Sequence, residues 1–444
     1  AGLAGIDRVR TKIVGGAHAL QGAGGQQQFG GFDRAHGRYC PGFGARRGGH
    51  NPGMDIPASE IVVAGGGIGG LAATLALARQ GARVQVLEQA AELSEVGAGI
   101  QLGPNVTRIL QGWGLADALS EVACWPQALH SRDAHSGRLL GELPLGARAQ
   151  QRYGAPYACI HRADLHRLLL GAVQAQGVSL LLGQRLTRVE PTSAGGVRLH
   201  TAQGLVLEPG LLVGADGLWS RSREALGLTA PPRFSGHLAY RGLVPLAPGA
   251  APEQVTVWMG PRLHVVQYPV QAGRALNVVA IVHGQLPASP EGWDHTAQAA
   301  ALWAALGPVC PALRATLEAV PEWRLWPLMD RPPLRSAREM GGGAVALLGD
   351  AAHPMRPYLA QGAGMAIEDA QALAQCWVQP GPVAARVHAY AERRWARNAR
   401  VQARAIRNGE IFHAQGLLGW GRDLAMGWLG ARVMDLPWLY AGSA

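Results

Sequence analysis

From Glu60 onward the chain alternates between unbroken apolar runs and runs with an apolar period. The stretch EIVVAGGGIGGLAATLALARQGARVQVLEQ predicts a strand, a glycine turn, a helix and a second strand. Residues 162–176 (RADLHRLLLGAVQAQ) place Leu165, Leu168, Leu169 and Val173 on one helical face. Strand-like runs follow near 178–190 and 197–213, and Ser235 to His283 is strand-like and aromatic throughout. Residues 295–320 return to a helical pattern. In LLGDAAHPMRPYLAQGAGMAIEDA (347–370) an apolar strand runs into Gly349-Asp350, then a proline-punctuated loop and a helix start. The helical pattern continues from about 362 to 430. Residues 1–53, rich in Gly, Gln, His and Arg, have no apolar period and read as a disordered extension, with Met54 as the natural start.

At 444 residues the chain is long enough for two domains. Its composition, 48% hydrophobic and 16% charged, is that of a globular enzyme. Of the formal charge of +10, residues 1–53 supply half through seven Lys/Arg against two Asp. No basic stripe interleaved with aromatics remains, which argues against nucleic-acid binding. The five cysteines are scattered without a C-x-x-C, as in a reduced, cytoplasmic protein. No apolar run is long enough for stable membrane insertion. Metal-ligand spacings are absent, so no metal site is expected.

Three short signatures carry the chemistry. Gly65-x-Gly67-x-x-Gly70 lies between a strand and a helix, where glycines permit a tight turn, pyrophosphate approach and helix–strand packing. Glu88 ends the next strand, placed to accept a ribose hydroxyl. This unit suits FAD and NAD equally. The second signature is Gly214-Ala-Asp216-Gly217 with Ser220 and Arg223. In the third, Asp350 at a strand end suits a polyol, while Gly362 and Gly364 leave bare backbone for a flat ring at a helix N-terminus.

In this order the three signatures resemble the class A FAD-dependent aromatic monooxygenases, similar to the salicylate, 3-hydroxybenzoate and 6-hydroxynicotinate hydroxylases. The resemblance covers nearly all of 59–444, including YRGLVP (240–245), RNGEIFHAQG (407–416) and PWLY (437–440). It implies a mixed α/β (α+β) fold like p-hydroxybenzoate hydroxylase: a Rossmann-like FAD-binding domain interleaved with a β-sheet substrate domain, and a helical C-terminal tail. The boundaries expected are 54–230 and 335–375 for the FAD-binding domain, 231–334 for the substrate sheet and 376–444 for the C-terminal helices; 1–53 lies outside the family. It further implies that Gly65, Gly67, Gly70, Glu88 and Arg162 hold the cofactor, with Asp216 touching both FAD and the nicotinamide path and Asp350 on the ribityl chain. Pro354 and the backbone of Gly362 and Gly364 would line the ring. NADH or NADPH would reduce FAD, and oxygen would pass through a flavin C4a-hydroperoxide to a small aromatic or heteroaromatic acid. A monomer or homodimer is expected.

Ring hydroxylation needs a base and a dry cavity. In the strand His264-Val-Val-Gln-Tyr268 the period of two puts His264, Val266 and Tyr268 on one face, with His and Tyr about 13 Å apart. The resemblance adds a His and a Tyr four apart on a substrate strand, so His264 and Tyr268 are the catalytic candidates. A half-buried strand with purely local hydrogen bonds would show the same pattern. His237, Tyr240, Arg241 and Tyr358 are the substrate-binding candidates. Two alternatives stay open: a flavoprotein reductase or dehydrogenase without oxygen transfer, and a hydroxylase of a larger quinone- or polyketide-type substrate.

Overall fold

The computed structural model describes residues 60–93, 97–286, 295–296 and 299–442. The expectations for residues 1–53 and Met54 lie outside these.

Two sheets organise the chain. A six-stranded sheet runs in the order Gly341–Gly342, Val345–Leu347, Leu211–Gly214, Ile61–Ala64, Val84–Leu87, Ser179–Leu181. All its pairings are parallel except the first. The strands Ile61–Ala64, Val84–Leu87, Leu211–Gly214 and Val345–Leu347 are short, buried and apolar apart from Gln85, as a parallel sheet covered by helices requires. Helices Ile68–Ala78, Arg162–Ala175 and Gly362–Trp377 supply the cover. The mixed α/β architecture inferred from the sequence is the one observed.

An eight-stranded sheet is mostly antiparallel. Its order is His295–Thr296, Arg324–Asp330, Arg233–Pro245, Ala275–His283, Leu263–Val270, Gln254–Gly260, Ala128–Asp133, Leu139–Pro144. Its last two strands come from within the stretch assigned to the first part of the FAD-binding domain. The sheet therefore reaches back to residue 128, beyond the expected start at 231. One face of this sheet carries Tyr240, Trp258, Leu263 and Val265 against helices Ala299–Leu306 and Pro311–Glu318. Its other face looks toward the cleft described below. The C-terminal helices are Val383–Phe412, Gly416–Leu429 and two shorter ones. Among the described residues no helix is long and apolar enough to cross a membrane.

Candidate active site

The three signatures follow the C-terminal ends of three adjacent parallel strands: Val345–Leu347, Leu211–Gly214 and Ile61–Ala64. Open α/β sheets bind ligands at this edge. A cleft of about 910 Å³ opens there, walled by the signature loops on one side and by the eight-stranded sheet on the other.

The glycines of the first signature divide their work. Gly65 has φ +109°, and a Cβ on it would lie 2.3 Å from the Ala215 carbonyl oxygen. A Cβ on Gly70 would lie 1.8 Å from the Gly65 carbonyl oxygen, so helix and turn touch backbone to backbone. Gly67 caps the helix, and a Cβ there would meet no protein atom within 4 Å. Glu88 accepts the Gly66 N–H at 2.6 Å and the Ala90 N–H at 2.8 Å. His166, on the same helix as Arg162, contacts the Gly66 carbonyl at 2.8 Å; the sequence did not single it out.

At the second signature, one oxygen of Asp216 accepts the Arg221 and Ser222 N–H groups at 2.8 and 3.0 Å. Its other oxygen is buried without a partner. Arg223 donates to the carbonyls of Ala351 and Ala352 at 2.7 and 2.9 Å, tying the second loop to the third.

Asp350 is exposed and lines the cleft. The surrounding protein raises its pKa, while His353 and Arg162 oppose that shift. Its turn is held from behind. Asp369 accepts the Gly349 N–H at 3.2 Å and pairs with His353 at 2.5 Å. Arg394, fully buried, binds Asp369 at 2.7 Å and Glu368 at 2.9 Å. Asn105 and Arg397 also reach Glu368. Burial alone would raise the Asp369 carboxyl, but His353 and Arg394 pull it well below the usual range. This network was missed in the sequence, although two adjacent acids inside an apolar helix were its visible trace.

Several candidates stand away from the cleft. Pro354 is buried, with its carbonyl taken by Gln402 at 3.2 Å; Met355 and Pro357 form the wall instead. Gly362 lines the cleft, whereas Gly364 packs against Val106, 2.9 Å from where a Cβ would sit. Tyr240 points into the core on the opposite face of the sheet, because the alternation that sends Arg241 to the cleft sends its neighbour away. Tyr358 is buried against Gly409 and the His264 ring, one layer behind the wall. His237 lies in that same layer, 4.9 Å from the His413 ring.

His264, Val266, Tyr268 and Arg241 all line the cleft. Gly99 leaves room for the Tyr268 ring, 2.5 Å from where its Cβ would be. Nδ1 of His264 lies 2.7 Å from Nε2 of His413. Burial holds His264 down to about 3, with His237 adding to the shift, so its imidazole is neutral at pH 7. The Arg241 guanidinium sits 4.9 Å over the Trp326 ring, and its Nε is buried without a partner. No carboxylate pairs with it among the described residues.

The cleft fits a flavin dinucleotide. The open position at Gly67 beside a helix N-terminus suits a pyrophosphate. The unpartnered oxygen of Asp216, the exposed Asp350 and the bare Gly362 continue along its length.

Residues 58–405 match the family described as FAD binding domain. The chain is 38% identical over 400 residues to a 3-hydroxybenzoate 6-hydroxylase of Polaromonas naphthalenivorans, covering 88% of this chain and 96% of that one. It is 40% identical over 349 residues to a 6-hydroxynicotinate 3-monooxygenase of Bordetella bronchiseptica, covering 77% and 89%. Klebsiella pneumoniae HpxO complexed with FAD and uric acid superposes with a TM-score of 0.75 at 27% identity, covering 84% and 94%. The chain belongs to the FAD-binding-domain family of aromatic monooxygenases. It is an FAD-dependent monooxygenase that takes its electrons from NADH or NADPH.

Proposed function

We propose that the chain hydroxylates a small aromatic or heteroaromatic acid carrying a ring hydroxyl, with Arg241 receiving the carboxylate and His264 the hydroxyl proton. The observation that carries this reading is a partnerless, aromatic-stacked arginine and a neutral histidine on one wall of the FAD cleft. FAD, once reduced, activates dioxygen and supplies the oxygen atom. Gly65, Gly67, Gly70, Glu88, Arg162, Asp216, Asp350 and Gly362 hold it. With Nδ1–H donated to His413, the other ring nitrogen of His264 accepts the substrate proton and favours attack by the electron-rich ring. Tyr268 bounds the far end of the substrate space. The relatives named for hydroxybenzoate and hydroxynicotinate support an acid of this size.

The test is NAD(P)H oxidation by the FAD-loaded chain with hydroxylated benzoates and nicotinates. One compound should stimulate oxidation with matching hydroxylated product. In Arg241→Met the preference for that acid over its amide should disappear; an unchanged preference would remove Arg241 from the carboxylate site.

His264→Ala should lower the hydroxylation rate about 10²–10⁴-fold while FAD stays bound. NADH oxidation should then run without product. A product yield per NADH equal to that of the parent would count against the base role.

Helix Gly416–Leu429 exposes Leu417, Leu418, Trp420 and Trp428, and clustered exposed apolar side chains mark interaction surfaces. We read it as the contact of a homodimer, which a single-chain mass in sedimentation would overturn. The free thiols of Cys124, Cys159, Cys310 and Cys376 support a cytoplasmic location; processing with a cleaved leader would overturn it.

A further inference from the structure

Behind the His264 wall the fold gathers three histidines from distant parts of the chain. His237 and His283 are directly paired residues on adjacent antiparallel strands. Directly opposed side chains share one face of the sheet with Cβ atoms about 4.5–5.5 Å apart. Their rings lie 4.5 Å apart. His413, at the C-terminal cap of helix Val383–Phe412, closes over the pair, its ring 4.9 Å from His237 and 5.2 Å from His283. Nδ1 of His413 lies 3.3 Å from Nε2 of His283. One nitrogen from each of the three lies within 4.8 Å of the others. His237 and His413 are buried, whereas His283 is exposed and gives the group access to solvent.

We propose that His237, His283 and His413 form a binding site for a divalent transition-metal ion of the zinc, nickel and copper class. Imidazole-only sets select these ions over magnesium and calcium. Zinc–nitrogen bonds of about 2.0–2.1 Å in a tetrahedron place ligand nitrogens roughly 3.3–3.4 Å apart. The His413–His283 pair already has that spacing, and a rotation of the His237 ring completes the triad. Three histidines leave the fourth position to water. The charged groups acting on these histidines are Arg262 and Arg356, both cationic. Their charge weakens cation binding.

Occupancy has a consequence for the cleft, and this part rests on the role proposed for His264. A histidine that binds metal through one nitrogen donates its other N–H to a neighbour. Bound through Nδ1, His413 keeps its proton on Nε2, which faces Nδ1 of His264 at 2.7 Å. His264 must then accept at Nδ1 and carry its own proton on Nε2. It has no lone pair left for a substrate proton, so the metal inhibits.

The test uses the tag-free, FAD-loaded full chain titrated with zinc chloride against a chromogenic chelator, with magnesium chloride as control. The chain has 15 histidines, so variants decide the site. We expect one zinc per chain in the parent and no bound magnesium. Both His283→Ala and His413→Gln should bind at least about tenfold more weakly, with flavin spectra showing that each is folded. No zinc bound to the parent, or equal affinity in His283→Ala, would overturn the site. Zinc that binds the parent and stops product formation, reversed by EDTA and absent in His283→Ala, supports both site and coupling. Zinc that binds without inhibition supports the site and overturns the base role given to His264.

Discussion

Gly70→Ala should give a chain that no longer retains FAD. The new methyl carbon would lie 1.8 Å from the Gly65 carbonyl oxygen, which is main chain and cannot swing aside. Either helix Ile68–Ala78 backs away from the strand or the turn that carries Gly65 flattens. Gly65 is itself held, with φ +109° and the Ala215 carbonyl against its own Cβ position. The strain therefore spreads into the Asp216 loop. Overpacking of this kind costs about 1–3 kcal/mol, and the phosphate-binding N–H groups lose their alignment as well. Absorbance of the purified chain at the flavin and protein bands measures the outcome. Gly67→Ala is the control, because its methyl group would meet no protein atom within 4 Å. It should keep the stability of the parent and lose FAD only through the space taken from the pyrophosphate. Full flavin content in Gly70→Ala would show that the helix is not held where the structure places it.

Arg394→Met should destabilise the chain by about 3–5 kcal/mol. Arg394 is fully buried and neutralises Glu368 and Asp369, themselves nearly inaccessible. Removing it leaves two buried carboxylates with His353, Asn398 and the Gly349 N–H on Asp369 and Arg397 and Asn105 on Glu368. The same loss loosens Gly349, whose N–H rests on Asp369, so Asp350 should hold FAD less well. Urea denaturation with and without FAD reads both effects. A loss below about 1 kcal/mol would contradict the role given to this arginine. Burial opposes ionisation of Glu368 and Asp369, but their cationic partners prevail and both pKa values fall below the unfolded ones. The unfolded chain then binds protons first on acidification. The stabilisation is complete above the unfolded carboxylate values near pH 4 and is lost as pH falls through the folded ones. Arg394→Met should therefore show a smaller loss of stability on acidification than the parent.

The parts of the site legible in the sequence are those set by neighbours along the chain. A strand, a glycine turn and a helix within a few dozen residues define the phosphate loop. Gly65 and Gly70 are needed for contacts inside that unit or with the strand beside it. The alternation in Leu263–Val270 likewise places His264, Val266 and Tyr268 together on the cleft side, because successive side chains on a strand must point to opposite faces. Alternation does not say which phase faces the ligand, and that decided between Tyr240 and Arg241. The partner strands Ala275–His283 and Arg324–Asp330 determine the orientation of that strand, and helices Ala299–Leu306 and Pro311–Glu318 cover its other face.

Everything that depends on long-range packing came from the tertiary structure. The strand ends carrying Gly65, Asp216 and Asp350 become neighbours only through parallel pairing across the whole chain. Arg394 meets Asp369 because two helices pack, and His413 meets His237 and His283 because a helix end lands on a strand pair. The sequence by itself determined the cofactor loop and which side chains of the substrate strand share a face, since short-range periodicity and backbone sterics suffice for them. Register, helix packing and burial decided which polar groups face one another, because those contacts join residues that no local pattern connects.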